Sequence, residues 1–395
     1  MNAYTKKLWD AVTSLSLTIA CLALLMVLVV ACTLAQVRLG TFGAVSVYMR
    51  SWFYWMDLGS FRIPIYPAGA TVGLVLMVNL VAAQLKRLEL SWRKSGIWIV
   101  HAGLILLFVG EFVTGAFQVD GRLAVEEGQT VDFVEVPRHM ELAVVDTTDA
   151  GADDVFGIPE TTLARGGLVP VRSPGKTTPL AVRVKRYARN VLFSNAGPGM
   201  PSAGADQGVG KGVAMQEIPP VTTDDRVDMT AAVVEILADG KSLGTWLASN
   251  AIDQPQPFSF GGRRYELSLR FQRTYLPYSL TLEKFRHDVY PGTDIPKNFS
   301  SLVRLRNPAT GEDRNVLIYM NQPLRYDGKA FYQASFGKND TLSILQVVSN
   351  PGWLLPYVST VLVTLGLLVH FARSLRRGIR RAGAAGAAAS AARAA

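Results

Sequence analysis

Four long apolar stretches constrain this chain more than any other feature of its 395 residues. A helix needs about 20 consecutive apolar residues to cross the hydrocarbon core of a bilayer. The sequence therefore predicts a membrane protein with four transmembrane α-helices, three N-terminal and one C-terminal. The segment 116–352 between the third and fourth stretches is polar enough to fold in water. The stretches run from Asp10 to Arg38, from Arg62 to Lys86, from Lys94 to about Gly115, and from Trp353 to Arg373.

The net charge of +9 is concentrated around the apolar stretches. Residues 116–352 carry 25 Lys or Arg against 27 Asp or Glu, which is a balance of −2, and the remaining 15 basic and 4 acidic residues supply +11. Basic residues close to membrane helices are a topology signal, because the cytoplasmic side retains them. The positive charge is therefore explained without nucleic acid, and we expect no nucleic-acid partner.

The same basic residues predict the orientation of the chain. Three basic groups, Lys6 and Lys7, the cluster in 86–94, and the arginines from Arg373 to Arg381, all fall on one side of the membrane if four helices cross it. That side is expected to be the cytoplasm. We expect a multi-pass protein of the bacterial cytoplasmic membrane, with both ends inside and the large domain on the outer, periplasmic side.

These signals divide the chain into nine predicted segments. They are a cytoplasmic N-terminus (1–11), helix 1 (12–37), an outer loop (38–66), helix 2 (67–85), a cytoplasmic loop (86–95), helix 3 (96–115), an extracytoplasmic β-rich domain (116–352), helix 4 (353–372) and a basic, Ala-rich cytoplasmic tail (373–395).

The outer domain shows the alternation of strands. Tyr265–Phe271 and Ser279–Phe285 alternate apolar and polar residues with a period of two, and Gly- and Asp-rich turns separate such runs. The sequence predicts a large, mainly antiparallel β domain. Segment 194–225 is rich in Gly, Pro and Ala and is expected to be a long loop, and the tail after Arg381 is expected to be disordered.

Two of the four histidines, His101 and His370, lie in predicted membrane helices. Ionisable side chains inside a bilayer are costly and commonly functional. A neutral imidazole offers one nitrogen to a metal without needing a counter-charge, so haem iron is a natural partner. Both histidines are candidate axial ligands. The alternatives stay open: His101 as a hydrogen-bonding residue between helices, and His370 as an interfacial side chain that reaches water.

The other candidate residues give weaker indications of a functional site. Trp52–Trp55 precede the second helix and are typical of an interfacial aromatic belt, with a ledge for a flat cofactor as the alternative. The two cysteines lie within the first helix and predict neither a disulfide nor a metal site. His139 and His287 are isolated in the outer domain, and the chain has no pattern of a catalytic triad or of covalent haem attachment. We therefore expect no catalytic residues, and any haem b to be held transiently and without a covalent bond.

At these residues the chain resembles the ResB (CcsB) family of cytochrome c biogenesis proteins. The most specific parts are Gly96–Leu104 in the third helix and a series of motifs in 285–336. These motifs are Tyr290-Pro291-Gly292-Thr293, Asn321-Gln322-Pro323-Leu324 and Phe331-Tyr332-Gln333-Ala334-Ser335-Phe336.

The resemblance implies a haem-delivery and apocytochrome-docking subunit of a system II cytochrome c synthase. Such a subunit forms a complex with a CcsA-like (ResC) membrane protein, and the complex attaches haem covalently to apocytochrome c. A thioredoxin-like thiol reductant is a further expected partner. His101 matches the family's haem-ligand candidate, and a histidine near the end of the last helix, as His370 is, is also a family feature. The tryptophan-rich motif of the CcsA partner is absent from this sequence. The chain is therefore expected to be a non-autonomous subunit of a haem lyase.

Two other functions remain open from the sequence. One is a membrane-anchored scaffold that binds apocytochrome or a thiol reductant and never touches haem. The other is a b-type electron carrier that keeps one haem between His101 and His370. Whether His370 or a histidine of the partner supplies the second ligand is also open.

Overall fold

The computed structural model describes residues 2–394 except 60, 87–91, 174–175, 198–199, 201, 222–226, 294 and 339. It contains two compact units. A helical unit comprises residues 2–118 and 350–394, and a β unit comprises 119–221 and 227–349. Half of the expected basic loop at 86–95, residues 87–91, lies outside the described residues.

The helical unit contains the four expected apolar helices. The described residues form α1 (Ala3–Val12), α2 (Leu15–Val45), α3 (Gly69–Lys86), α4 (Ser95–Phe117) and α6 (Leu355–Ala394). Four of these, α2, α3, α4 and α6, are long and apolar enough to cross a membrane. The predicted fold class, three such helices before a large antiparallel β domain and one after it, is confirmed.

The first membrane helix begins at Leu15 for a local reason. The side chain of Ser14 accepts a hydrogen bond from the backbone nitrogen of Leu17 at 3.2 Å and so caps the helix. The residues before it form the separate helix α1. At its other end α2 contains a non-helical residue, Gly40, with φ of 67°. Glycine tolerates this conformation because it has no Cβ.

A buried asparagine ties the start of α2 to α3. Asn79 is 1% exposed. Its Nδ2 donates to the carbonyl oxygens of Val12 at 2.6 Å and Ser14 at 3.1 Å, and its Oδ1 accepts from Thr18 Oγ1 at 2.6 Å. At the end of α3, Lys86 Nζ lies 2.6 Å from Asp10 Oδ1. The side chain of Asn79 thereby satisfies backbone carbonyls that the break between α1 and α2 leaves free.

Glycines let α4 and α6 approach each other closely. Gly96, Gly103 and Gly110 are the buried residues of α4. Their spacing of seven places them on one helix face. A Cβ built on Gly96 would lie 2.7 Å from the backbone nitrogen of His370, and one on Gly103 would lie 2.7 Å from Val363 Cγ2. Small residues that bring backbones together in this way are a common basis of helix packing in membranes.

The β unit is built from antiparallel strands and one short helix, α5 (Glu160–Arg165). A two-stranded hairpin, β1 (Phe53–Leu58) and β2 (Phe61–Pro67), precedes it in the helical unit. The strands of the β unit are β3 (Val119–Glu126), β4 (Thr130–Asp146), β5 (Asp154–Pro159), β6 (Gly167–Ser173), β7 (Lys176–Ala188), β8 (Val191–Asn195), β9 (Val213–Glu217), β10 (Ala231–Ala238), β11 (Lys241–Ser249), β12 (Gln256–Phe260), β13 (Arg263–Val289), β14 (Pro296–Asn307), β15 (Glu312–Tyr319), β16 (Leu324–Tyr326), β17 (Lys329–Gly337) and β18 (Leu342–Ser349).

The strands form two main sheets. One has the order β11-β10-β7-β6, and the larger one has the order β15-β14-β13-β4-β3-β18-β17-β16, with β12 on β13 and β5 on β4. The first and last strands of the unit, β3 and β18, pair along their whole length.

The strand β13 contributes to two hydrophobic cores. Leu267 and Leu269 in its first half belong to a core shared with the four-stranded sheet. Leu280 and Leu282 in its second half belong to a core inside the larger sheet. The sequence predicted two strands here, and the structure has one. Its register with β4 shifts between Tyr275 and Leu280, around Pro277, so a proline without an N–H is accommodated without ending the strand.

Two expectations about irregular segments were wrong. The stretch 194–225 contains β9, which pairs with β8 as a small hairpin. The Ala-rich tail is the last part of the helix α6, which runs to Ala394. Alanine has the highest helix propensity of all residues, and this tail extends a helix that is already formed, so no new helical nucleus is needed.

Candidate functional site

His101 lies on α4, six residues after the helix begins at Ser95, and its side chain is half-buried. That places it about 9 Å along the helix axis. Its Nδ1 lies 2.8 Å from the carbonyl oxygen of Ile97, one turn earlier. A carbonyl oxygen only accepts hydrogen bonds, so Nδ1 carries the proton and donates. Nε2 then carries the lone pair. Histidines that bind metals commonly have this arrangement, with one nitrogen donating to a carbonyl and the other free to ligate.

The face of α4 that carries His101 turns away from α6. His101 follows Gly96 by five residues, which is about 140° around a helix, and the glycine face packs against α6. Phe108 lies seven residues beyond His101 on nearly the same side. It packs against a cluster of Cys21, Leu28, Val72 and Leu76 from α2 and α3. The imidazole therefore lies on the side of α4 that faces the first two membrane helices.

His370 lies on α6, with an exposed side chain. Its backbone and the carbonyl oxygen of Gly366 are the parts of α6 closest to Gly96. Its ring is 5.7 Å from that of Phe371, edge to face. The structure therefore places the two histidines on different sides of α4. Ligation by both stays a prediction, but one iron bound by both imidazoles of the same chain is not the arrangement that these helices favour.

Arg373, three residues after His370, makes a contact with Trp92 that the sequence did not predict. Arg373 Nη1 donates to the carbonyl oxygen of Trp92 and, at 2.6 Å, to Ser95 Oγ at the start of α4. The guanidinium lies 5.7 Å from the centre of the Trp92 ring, and Trp92 is 84% exposed. The sequence assigned Arg373 to the general positive charge at the end of the last helix. Only the packing of α4 on α6 shows that it meets Trp92.

The aromatic segment before α3 is part of the β1–β2 hairpin. Tyr54 is stacked between Tyr48 and Tyr66, with ring centres 5.3 and 4.9 Å apart. Burial in this stack, followed by the influence of Tyr48, raises the pKa of Tyr66 to about 12. Trp52 and Trp55 are 58% and 50% exposed. Tyr54 is thus committed to packing, and the exposed tryptophans suit the interfacial belt that the sequence favoured.

The outer-domain histidines form no metal site among the described residues. His139 is exposed. His287 places Nδ1 3.2 Å from a carboxylate oxygen of Asp340, and its ring packs on Phe336 with centres 4.3 Å apart. Its Nε2 is buried without a hydrogen-bond partner in the described structure.

The motif Phe331–Phe336 has a structural role in β17. Phe331 is fully buried in the core of the larger sheet. Gln333 Oε1 accepts from Ser301 Oγ at 2.6 Å, and Gln333 Nε2 donates to Ser343 Oγ at 3.1 Å. The hydroxyls of Ser301 and Ser343 lie 2.7 Å apart and are fully buried. The amide therefore satisfies two buried hydroxyls, one from the adjacent strand β18 and one from β14, which in the described structure is not paired with β17.

Comparison with known proteins finds one family. Residues 256–344 match the model of the ResB-like family. A relative is Protein NrfI of Wolinella succinogenes, which is 35% identical over 97 residues, or 25% of this chain. The chain covers only 11% of the length of that relative. The matched segment runs from β12 into β18 and so includes β13 and the Gln333 motif.

Proposed function

We propose that this chain is a ResB-like protein that acts as a haem-delivery and apocytochrome-docking subunit of a system II cytochrome c synthase, because residues 256–344 match the model of that family. The family match supports a role in cytochrome c biogenesis. Haem b is the cargo, held without a covalent bond. The synthase is completed by a CcsA-like membrane protein, which joins the haem to apocytochrome c. The protein functions in the bacterial cytoplasmic membrane, with its β unit on the periplasmic side.

The observation that carries the proposal is the geometry of His101. The hydrogen bond from Nδ1 to the Ile97 carbonyl sets the tautomer, so Nε2 has a lone pair available for haem iron. The neutral imidazole needs no counter-charge in an apolar interior. The residues present therefore fit a haem ligand.

The second axial ligand comes from the partner in this proposal. His101 faces α2 and α3, whereas the backbone of His370 contacts the opposite, glycine-lined face of α4. A permanent b-type haem between these two imidazoles of one chain has no support in this arrangement. If a second protein supplies one axial ligand, a rearrangement of that protein releases the haem. Such release suits haem delivery better than permanent haem storage.

The thiols of the attachment reaction belong to apocytochrome c. Cys21 and Cys32 are buried in α2, 7% and 4% exposed. Buried cysteines in apolar surroundings are usually structural. This chain supplies an imidazole and a docking domain, and a thiol reductant, if it binds, acts on the thiols of the apocytochrome.

The test is a haem spectrum with chemical rescue. The chain is purified with its CcsA-like partner in three forms: wild type, His101→Gly and His139→Ala. His139→Ala is the control, because it changes an exposed histidine of the outer domain. We expect His101→Gly to lose most of the absorbance of bound haem and added imidazole to restore it, while His139→Ala matches wild type. Rescue by imidazole separates ligation from a packing role. An unchanged spectrum in His101→Gly would refute the ligand assignment, and co-purification of apocytochrome without any haem would favour the scaffold function.

A further inference from the structure

We propose that Trp92, His370 and Arg373 form a separate capture site for a flat dianionic tetrapyrrole, before it reaches His101. This inference rests on the proposed function, because it supplies the cargo that His101 binds. It adds two binding residues, Trp92 and Arg373, that no sequence motif marks. It also gives His370 a role distinct from that of a second ligand to the iron on His101.

The first argument is the separation of the two imidazoles. His101 lies about 140° around α4 from Gly96, and the backbone of His370 contacts Gly96. The side chain of His370 is exposed, whereas that of His101 is half-buried on the other side of α4. The exposed imidazole of His370 is suited to the arrival of the porphyrin, and the half-buried imidazole of His101 is suited to holding it in the next step.

The second argument is the fixed position of Arg373. Its Nη1 is held by the Trp92 carbonyl oxygen and by Ser95 Oγ at 2.6 Å. In the described contacts this leaves Nε and Nη2 of the guanidinium for an anion. An arginine held in place loses less side-chain entropy when it binds a carboxylate in its planar fork. The propionate groups of a porphyrin are carboxylates of this kind.

The third argument is the exposed indole beside that charge. Trp92 is 84% exposed, and its ring centre lies 5.7 Å from the guanidinium of Arg373. The guanidinium lies over one face of the indole, and the other face offers a stacking surface to a planar aromatic ligand. His370 precedes Arg373 by three residues, less than one turn of α6, so the imidazole and the guanidinium leave neighbouring positions of the helix, and the guanidinium contacts Trp92.

An anionic lipid headgroup could satisfy the same guanidinium. It would use the charge of Arg373, but it would gain nothing from an aromatic surface or from an imidazole that can ligate iron. The three groups together therefore favour a porphyrin, and the lipid is an outcome that the experiment distinguishes.

The experiment uses the full chain in nanodiscs of zwitterionic lipid. Metal-free protoporphyrin, followed by its fluorescence, reports ring and propionate contacts without iron ligation. We expect Trp92→Ala and Arg373→Gln each to weaken its binding about tenfold, the loss of one stacked ring or one charge-assisted hydrogen bond. Arg373→Lys, which keeps the charge, should recover part of the affinity, and Arg381→Gln, an exposed arginine further along α6, should match wild type. The dimethyl ester of the porphyrin should bind wild type as weakly as the free acid binds Arg373→Gln.

Haemin supplies the second readout. We expect His370→Gln to lower the affinity for haemin towards that for metal-free protoporphyrin, and Trp92→Ala to slow the appearance of the haem spectrum. Binding of the metal-free porphyrin that is the same in wild type, Trp92→Ala and Arg373→Gln would overturn the capture site. The capture site would also be overturned if the dimethyl ester binds as tightly as the free acid. It would likewise be overturned if Arg373→Gln weakens only the binding of anionic lipid and not that of the porphyrin. If the wild-type complex with the CcsA-like partner shows no haem spectrum that depends on His101, the proposed function itself is overturned.

Discussion

The backbone of His370 lies so close to Gly96 that a Cβ on the glycine would be 2.7 Å from the His370 nitrogen. Further along the same pair, Ser359 Oγ donates to the carbonyl oxygen of Gly103 at 2.8 Å. The close packing of α4 on α6 thus depends on glycine at position 96, which has no side chain, and on the buried hydrogen bond between Ser359 and Gly103. Its geometry also determines which way His101 faces.

Replacing a glycine of this face should separate the two helices. We expect Gly96→Ala to destabilise the protein by about 1–3 kcal/mol, the usual cost of overpacking a close contact, despite the better helix propensity of alanine. The measurement is thermal unfolding of the purified chain in detergent. Gly115→Ala in the same helix is the matched control, because nothing lies within 4 Å of a Cβ there. If the two variants are equally stable, close approach is not what holds α4 on α6.

Removing the amide of Asn79 should loosen the start of α2. Asn79→Leu has a similar volume but leaves the carbonyls of Val12 and Ser14 and the hydroxyl of Thr18 without their partner. An unsatisfied buried polar group costs about 1–3 kcal/mol. We expect a lower unfolding temperature and faster proteolysis in α1. The double variant with Thr18→Val should lose less than the sum of the two single changes, and strict additivity would show that the pair does not interact.

The Gln333 network should be sensitive in the same way. Gln333→Leu leaves the hydroxyls of Ser301 and Ser343 with only each other as partners in a buried site. We expect a loss of about 1–3 kcal/mol in the unfolding free energy of the β unit. Replacing both serines by alanine in the Gln333→Leu background should recover part of it, because no unsatisfied hydroxyl then remains. Further destabilisation by those alanines would contradict this account of the motif.

The stability of the four-stranded sheet should fall in acid through Glu235. The hydrogen bond from Ser242 Oγ at 2.8 Å, together with Lys185 and Arg183, lowers the pKa of Glu235 below its ordinary value of 4.5. A lowered pKa means that this contribution is complete above pH 4.5 and is lost as the pH falls through the pKa of the folded state. We expect Glu235→Gln to cost about 1 kcal/mol at pH 7 and much less at pH 3.

Thermal unfolding measured at both pH values checks this prediction. Asp253→Asn, a change at an exposed carboxylate of the same unit, is the control against which the effect of Glu235→Gln is compared at each pH. A cost of Glu235→Gln that is the same at pH 3 and pH 7 would rule out its ionised form as the source.

The membrane helices were predictable from the sequence because their signal is local. Each needs only length and apolarity, and both are visible in a single stretch of residues. The β strands were predictable where alternation is regular, as in Tyr265–Phe271. The continuity of β13 through Pro277 was not, because a proline usually ends a strand and the shift in register that accommodates it depends on the partner β4.

The site was predictable only in part for the same reason. His101 and His370 are conspicuous because ionisable residues are rare in membrane helices. The side of α4 that each one occupies depends on Gly96, Gly103 and Gly110, and the meaning of these glycines appears only when α6 is packed against them. Nothing in the sequence around Trp92 marks it as part of a site. Its contact with Arg373 joins residues far apart in the sequence and is visible only in the structure.

The order of synthesis gives the glycine face of α4 a particular history. A ribosome makes α4 before α6, with every strand from β3 to β18 made in between. Throughout that interval Gly96, Gly103 and Gly110 form a notch that the nascent chain has nothing to fill. A protein interrupted before residue 355 would carry a finished β unit and an open groove along its third membrane helix, where Gly96, Gly103 and Gly110 lack the partner that α6 provides.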